Sequence, residues 1–264
     1  MKIGICGICG RMGVSVLKIM LERRHVLAAA FDHVGAPRFG DDAGRLVGGE
    51  GLNVTITAIN RDDVRKADGI IDFSAPAASM RLIEEALSAG KPLVIGTTGL
   101  SDDQKKEIEK ASRRIPVLFS PNMSVGVNLL FKLTETAARA LNTDYDVEIF
   151  EAHHRFKKDA PSGTARRLLE IVRENMGGLE DAKEVPGRDG IVGERTKNEI
   201  GILAMRGGDI VGEHTVFFTT FGERIELTHR ATSREILSSG AVTAMEFLAG
   251  KPAGLYTMYD VLGL

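Results

Sequence analysis

The chain has 264 residues, 43% of them hydrophobic and 27% charged, which is enough to bury a substantial core in one or two domains. The formal net charge of −2 implies no basic face for nucleic acid. No apolar run approaches a membrane span, and Met1-Lys2-Ile3 leads directly into an apolar strand pattern, so a cytoplasmic protein with no membrane partner is expected. Lys2 to Cys6 is a short apolar run suited to a buried parallel strand. Gly7-Ile8-Cys9-Gly10-Arg11-Met12-Gly13 follows as a glycine turn. Ser15 to Arg23 has helical periodicity, and Val26 to Phe31 is a second strand ending at Asp32. Strand, glycine turn, helix, strand and acidic residue is the order of a dinucleotide-binding βαβ unit.

The glycine spacing is G-x-x-G-x-x-G. Gly7 permits the tight turn, Gly10 lets backbone approach a pyrophosphate, and Gly13 lets the helix pack closely. Arg11 is placed to add a charge-assisted contact to phosphate. A carboxylate at Asp32 accepts hydrogen bonds from ribose hydroxyls and repels a 2′-phosphate, which favours NADH. His33, not an arginine, follows it, and Arg38 is the next cation able to meet a 2′-phosphate, so NADPH stays open. Cys6 and Cys9 have the C-x-x-C spacing of a redox dithiol. They fall at a strand end and inside the glycine turn, not at the start of a helix, so they read as small residues in a turn.

Further on, Asp41 to Gly51 reads as a polar surface loop and Val54 to Thr57 as a short strand. The charged segments Asp62 to Lys66 and Asp102 to Arg114 read as helices with solvated faces. Strand patterns end in small polar loops at Phe73-Ser74-Ala75, Gly96-Thr97-Thr98-Gly99 and Ser120-Pro121-Asn122-Met123. In a doubly wound sheet such loops lie where ligands bind, so they are expected around the nicotinamide half of the cofactor. Val127 to Leu141 reads as a longer helix bridging two domains, after which the pattern becomes strand-rich. Glu174 to Glu199 is a long charged loop. Ile200 to Arg206, Asp209 to Thr220 and Arg224 to Ala231 read as antiparallel strands turning at Gly207-Gly208 and Phe221-Gly222-Glu223. Glu235 to Leu248 reads as a final helix packing back on the first domain. The expected fold is α/β: a Rossmann-like doubly wound parallel sheet over 1–126 and 235–264, plus a second α+β domain over 127–234 with an open, mostly antiparallel sheet.

Glu151 to Ala165 concentrates the chemistry: Glu-Ala-His-His-Arg-Phe-Lys-Lys-Asp-Ala-Pro-Ser-Gly-Thr-Ala. The stretch falls between a strand pattern, Asp146 to Phe150, and a helix pattern. An imidazole such as that of His153 can give or take a proton at neutral pH, and Lys157 can donate a proton or fix an anion. Ser162 is placed to cap the helix, so the N–H groups of its first turn form a seat for a carboxylate or phosphate. The stretch is suited to gripping a small acidic molecule and handing it a proton. A metal site at Glu151, His153 and His154 is not favoured, because H-E-x-x-H spacing is missing.

Five segments together resemble the dihydrodipicolinate (4-hydroxy-tetrahydrodipicolinate) reductase family of lysine and diaminopimelate biosynthesis. They are Gly7 to Gly13, Gly96 to Gly99, Asn122-Met-Ser-Val-Gly-Val-Asn128, Glu151-Ala-His-His154 with Lys157-x-Asp-Ala-Pro-Ser-Gly-Thr164, and Gly208-Asp-Ile-Val-Gly-Glu-His-Thr215. The resemblance runs nearly end to end and implies an NAD(P)H-dependent reductase of a small dicarboxylate heterocycle. It implies proton transfer by His153 assisted by Lys157, and substrate contacts at His154, Gly163 and Thr164. It implies cofactor contacts from Gly7, Ile8, Cys9, Gly10, Arg11, Met12 and Asp32, from Gly96, Thr97 and Thr98, and from Ser120, Pro121, Asn122 and Met123. It also implies NADH and/or NADPH as cofactor, no metal, and a homotetramer joined through the strand-rich domain. Family members that accept NADPH well often carry arginine where His33 stands, which leaves the preference between the two cofactors open. A semialdehyde dehydrogenase would need an acylating cysteine near the second domain, and a nicotinamide-sensing regulator would need a recognition helix or basic patch. The sequence offers neither.

Overall fold

A computed structural model of the chain describes residues 1–49, 51–141 and 143–264. In chain order the first elements are β1 (Lys2–Cys6), α1 (Arg11–Glu22), β2 (Val26–Phe31), β3 (Ile56–Thr57), α2 (Arg61–Lys66) and β4 (Gly69–Asp72). Next come α3 (Pro76–Ala89), β5 (Leu93–Ile95), α4 (Asp102–Ser112), β6 (Pro116–Phe119), α5 (Val125–Ala140) and β7 (Asp146–His153). The rest are α6 (Gly163–Asn175), β8 (Lys183–Val185), β9 (Glu199–Arg206), β10 (Gly212–Thr220), β11 (Glu223–Ala231), α7 (Glu235–Leu248), β12 (Gly254–Tyr256) and α8 (Met258–Leu262). The chain forms two compact units, one of Met1–Val125 with Glu235–Leu264 and the other of Gly126–Arg234.

The first unit is built on a parallel sheet of order β12-β6-β5-β4-β1-β2-β3. Its central strands are continuous apolar runs because both faces are covered; Ile3, Ile5, Ile70 and Ile71 have no exposed surface. The chain order reverses between β1 and β4, which makes their carboxyl ends the switch point of the sheet. Helix α7 returns to this unit, with Ala241, Val242, Met245 and Leu248 packed in one cluster with Ile3, Ile5 and Met20. It is not the final element: β12 extends the sheet beyond β6, and α8 follows. The stretch expected to be a surface loop holds a 3-10 helix, Ala43–Val47, with Ala43 and Gly44 buried. Asp42 organises it, its carboxylate accepting from the N–H groups of Gly44, Leu52 and Val54. Glu50, in the same stretch, lies outside the described residues.

The second unit holds an open sheet of order β11-β10-β7-β9-β8. The longest pairing, β10 with β11, is antiparallel, as is β10 with β7; β7–β9 and β9–β8 run parallel. The hairpin expected at Gly207-Gly208 does not form, because β7 lies between β9 and β10 and takes the pairing that each would have offered the other. The long charged loop is not structureless. It contributes β8, and Arg188 and Arg195 fasten it to Glu148, Glu199 and Asp146. Helix α6 covers one face of the sheet: Ala165, Leu168, Leu169 and Val172 are buried, and so are Val147 and Ile149 of β7.

His214 of β10 is part of this covered face and only 4% exposed. Its Nε2 lies 3.0 Å from the Ser162 hydroxyl, and its buried Nδ1 has no hydrogen-bond partner. Burial, with the nearby His153 charge as the second cause, pushes its pKa down to about 3. Burial likewise lowers the pKa of His153 and His229. A folded-state pKa below the unfolded value of ~6.5 means that the unfolded chain binds the proton more readily, so stability falls as pH drops below ~6.5. For His214 the loss approaches about 1.4 kcal/mol per pH unit. Between pH 7 and 5, the unfolding free energy of the wild type should therefore fall about 2 kcal/mol further than that of His214→Gln, measured by urea titration. Equal losses would contradict a neutral buried His214.

Candidate functional site

The side chains that matter in the second unit are brought together by strand register. Residues two apart in a strand face the same side, so Glu151 and His153 share the α6-covered face of β7. His214 pairs with Glu151 across the antiparallel ladder, and Arg206 pairs with His153 across the parallel one. Directly paired residues project to the same side, so all four side chains meet there.

Glu151 is fully buried. Arg206 grips it as a fork, Nη1 to Oε2 and Nη2 to Oε1, each at 2.8 Å. His153 Nδ1 lies 2.6 Å from Oε2, and the Ser162 backbone N–H donates to Oε1 at 3.0 Å. A carboxylate partner makes Nδ1 the protonated nitrogen of the neutral ring and leaves a lone pair on Nε2. Space at Nε2 is preserved by Gly212, where an added Cβ would stand 3.1 Å from that atom. The His153 side chain is 12% exposed, and its ring meets that of His214 edge to face, with centroids 5.2 Å apart. Burial lowers the His153 pKa; Glu151 opposes that shift, and the charges of Lys157 and Arg206 reinforce it.

Ser162 caps α6, its hydroxyl accepting from the Ala165 N–H at 3.2 Å, as its place in the sequence led us to expect. Gly163 and Thr164 begin the first turn of the helix. Gly163 is exposed, and a Cβ there would meet nothing within 4 Å. The turn thus presents exposed backbone at the positive end of a 13-residue helix, an arrangement that suits an anion. Lys157 is held by Asp159, Nζ lying 2.9 and 2.8 Å from the two carboxylate oxygens. His154 lies beyond the end of β7, with Nε2 2.9 Å from Arg234 Nη2 and Nδ1 buried without a partner. Sequence reading assigned no role to Glu151, Arg206 or His214. The last two come from strands far along the chain, although His214 sits inside one of the recurring motifs.

In the first unit, Gly7 has φ +77°, and a Cβ there would come within 2.4 Å of the Phe73 carbonyl oxygen. A Cβ at Gly13 would come within 2.2 Å of the Gly7 oxygen, so these two positions require glycine. Helix α1 starts at Arg11, earlier than expected, with Gly10 as a cap that offers no side-chain acceptor. A cavity of about 690 Å³ lies at the switch point, its wall including Gly7, Cys9, Gly10, Asp32, Phe73 and Arg81. Bare backbone at a helix start beside such a cavity fits the pyrophosphate of a dinucleotide. Ile8 is buried, so only its backbone can serve a ligand. Arg11 is exposed and Met12 half-buried at the start of α1.

Asp32 directly follows β2, and its carboxylate accepts from the Cys9 N–H at 2.8 Å and from the His33 N–H at 2.8 Å. The His33 ring nitrogen also lies 2.8 Å away. Arg81 Nη2 donates to the Ile59 carbonyl, and Arg38 pairs with Asp41. Gly96, Thr97 and Thr98 follow β5 outside the cavity wall; Thr97 is buried and accepts from the Ser74 N–H, while Thr98 is exposed. Ser74 and Ser79 both donate to the buried Asp72, whose pKa is raised by burial. Ser120, Pro121, Asn122 and Met123 follow β6, with Ser120 donating to the Asn122 carbonyl and Met123 packed in the core. Burial, followed by the neighbouring acidic charges, pushes the Cys9 thiol up to about 11 and raises that of Cys6. This is opposite to the activated thiolate that a redox dithiol needs.

Two family models match: "Dihydrodipicolinate reductase, N-terminus" over residues 1–123 and "Dihydrodipicolinate reductase, C-terminus" over residues 126–262. A 4-hydroxy-tetrahydrodipicolinate reductase from Anaeromyxobacter dehalogenans is 48% identical, with 100% of this chain and 98% of the relative covered. One from Aromatoleum aromaticum is 48% identical over 100% of this chain and 96% of the relative. Among solved structures, the dipicolinate-bound dihydrodipicolinate reductase of Paenisporosarcina shares the fold with a TM-score of 0.79, at 22% identity over 98% of both chains. The WlbA dehydrogenase of Thermus thermophilus, in complex with NAD and alpha-ketoglutarate, matches with a TM-score of 0.57 at 15% identity, covering 96% of this chain and 90% of the other. With both halves matched and close relatives aligned over its full length, the chain belongs to the dihydrodipicolinate reductase family and is an oxidoreductase.

Proposed function

We propose that the chain reduces 4-hydroxy-tetrahydrodipicolinate to tetrahydrodipicolinate with NADH or NADPH, in the cytoplasmic synthesis of lysine and diaminopimelate. The observation that carries this reading is the shared carboxylate of Glu151, which holds both the His153 imidazole and the Ser162 turn. A proton carrier and an anion seat thereby stand on one support, as a small dicarboxylate requires. The unit of Met1–Val125 with Glu235–Leu264 takes the dinucleotide, and Gly126–Arg234 takes the substrate. The same second sheet is the surface for assembly into a homotetramer. In support, its face away from α6 presents partly exposed Phe150, Leu203 and Phe217 and the 46% exposed Met205. Light scattering reads the number of copies directly.

When bound, the reduced nicotinamide supplies a hydride to ring C4 of the conjugated cyclic imine, with the hydroxyl lost as water in the overall reaction. The backbone of Gly7 to Met12 cradles the pyrophosphate, and Asp32 receives the adenosine ribose. Gly96 to Thr98 and Ser120 to Met123 border the nicotinamide. Gly163 and Thr164 hold one substrate carboxylate through N–H and hydroxyl groups, and His154 contacts the substrate. His153, assisted by Lys157, delivers the proton to the carbon next to C4. The free imidazole is neutral at pH 7, being held low by burial. Two substrate carboxylates bring negative charge beside it and favour the imidazolium, so the proton is loaded together with the substrate. Orientation of the bound reactants contributes up to ~7–11 kcal/mol in favourable cases.

His153→Gln should lower kcat by roughly 10²–10⁴-fold while leaving NADH affinity as it was. Wild-type turnover by that variant would remove His153 from the mechanism. Asp32→Ala should weaken NADH by roughly 10–100-fold, the value of hydrogen bonds to a charged acceptor, and NADPH by less. An unchanged ratio of the two Kd values would contradict the ribose-binding role.

A further inference from the structure

We infer that Glu151 is a positioning residue that couples the proton donor to the substrate's carboxylate seat, with Arg206 as its anchor. The inference rests on the reading of His153 and of the Ser162 turn given above, and adds that the two are not independent. One oxygen of Glu151 receives His153 Nδ1, and the other receives the Ser162 N–H. The rigid carboxyl plane therefore fixes the imidazole relative to the turn. Arg206 fills a remaining acceptor site on each oxygen, and its Nη2 also donates to the Asp159 carbonyl. Asp159 in turn holds Lys157. Imidazole, ammonium and helix start are thus all referred to one ion pair with a buried carboxylate.

The arrangement has a second consequence. A carboxylate on Nδ1 selects the tautomer with a lone pair on Nε2, the atom for which Gly212 leaves room. An amide at position 151 cannot do this. It offers one acceptor oxygen where four donors converge, and its NH₂ faces groups that are themselves donors. The ring is then free to adopt the opposite tautomer, and Ser162 loses its fixed acceptor.

The test uses the full chain, with dipicolinate, the ligand bound in the Paenisporosarcina structure, as the probe of the seat. In Glu151→Gln, kcat should fall by roughly 10²–10⁴-fold, because the ring is held wrongly. The Kd of dipicolinate should rise by roughly tenfold or more, because the turn is loosened. NADH affinity should stay at the wild-type value. The alkaline limb of the kcat–pH profile should move to lower pH, since the charge that favoured the imidazolium is gone, which a merely structural role would not produce. A fall in kcat with wild-type dipicolinate affinity would overturn the coupling, and so would weakened dipicolinate binding with wild-type kcat. Because dipicolinate affinity is read without turnover, failure of His153 as proton donor and failure of the Glu151 link remain distinguishable. Should Glu151→Gln not fold, Arg206→Lys reads the same link: it keeps the charge but loses the fork, so kcat and dipicolinate affinity should again fall together.

Discussion

The second unit depends on an ion pair whose carboxylate, Glu151, is fully buried while its arginine, Arg206, keeps an edge in solvent. Removing the Glu151 carboxylate from water opposes its ionisation, and burial is the largest single influence on it. Its pKa nonetheless lies below the ordinary carboxylate value, because Arg206, His153 and the Ser162 N–H together outweigh burial. Such a pair gives little net stability, but removing one partner is costly, typically about 3–5 kcal/mol. It therefore acts as a constraint on geometry. The strand order enforces it: β7 lies between β9 and β10, so Arg206 and His214 must arrive on the face that carries Glu151 and His153.

Local sequence was a good guide wherever the physics is local. The glycine turn from Gly7 to Gly13, the alternation along β7, and the Ser162 cap all follow from steric rules or short-range hydrogen bonds, and each was legible. What depends on pairing between distant segments was not. Gly207-Gly208 has the composition of a hairpin turn, yet the strands on either side of it pair with β7 and not with each other. Arg206 gave no sign of its role, because its partner lies 55 residues away. Asp42 was hidden too: its carboxylate accepts from N–H groups 10 and 12 residues ahead and turns a polar, glycine-rich stretch into an ordered one. The residue types of the Glu151–Ala165 stretch were readable, but the support behind His153 was not.

In the first unit the same contrast holds on a smaller scale. The order of elements implied a parallel sheet and a phosphate-binding turn, and backbone contacts at Gly7 and Gly13 leave no room for any other residue there. The C-x-x-C spacing pointed to no chemistry, and both thiols lie in surroundings that keep them protonated. Asp72 went unnoticed because an aspartate at the end of an apolar strand resembles Asp32 in sequence. Asp32 lines the cavity, whereas Asp72 is buried and spends its oxygens on Ser74 and Ser79. Two strand-end carboxylates thus differ in their surroundings: backbone N–H groups of Cys9 and His33 hold one, and serine hydroxyls hold the other.

The most direct measurement is the proton balance of ligand binding. Dipicolinate titrated into the enzyme near pH 8, in buffers of different ionisation enthalpy, reports how many protons accompany the ligand. If a neutral His153, held by Glu151, becomes the imidazolium when a dianion occupies the seat, the wild type takes up about one proton per site and His153→Gln takes up none. Zero uptake by the wild type, or the same uptake by both proteins, would contradict the account.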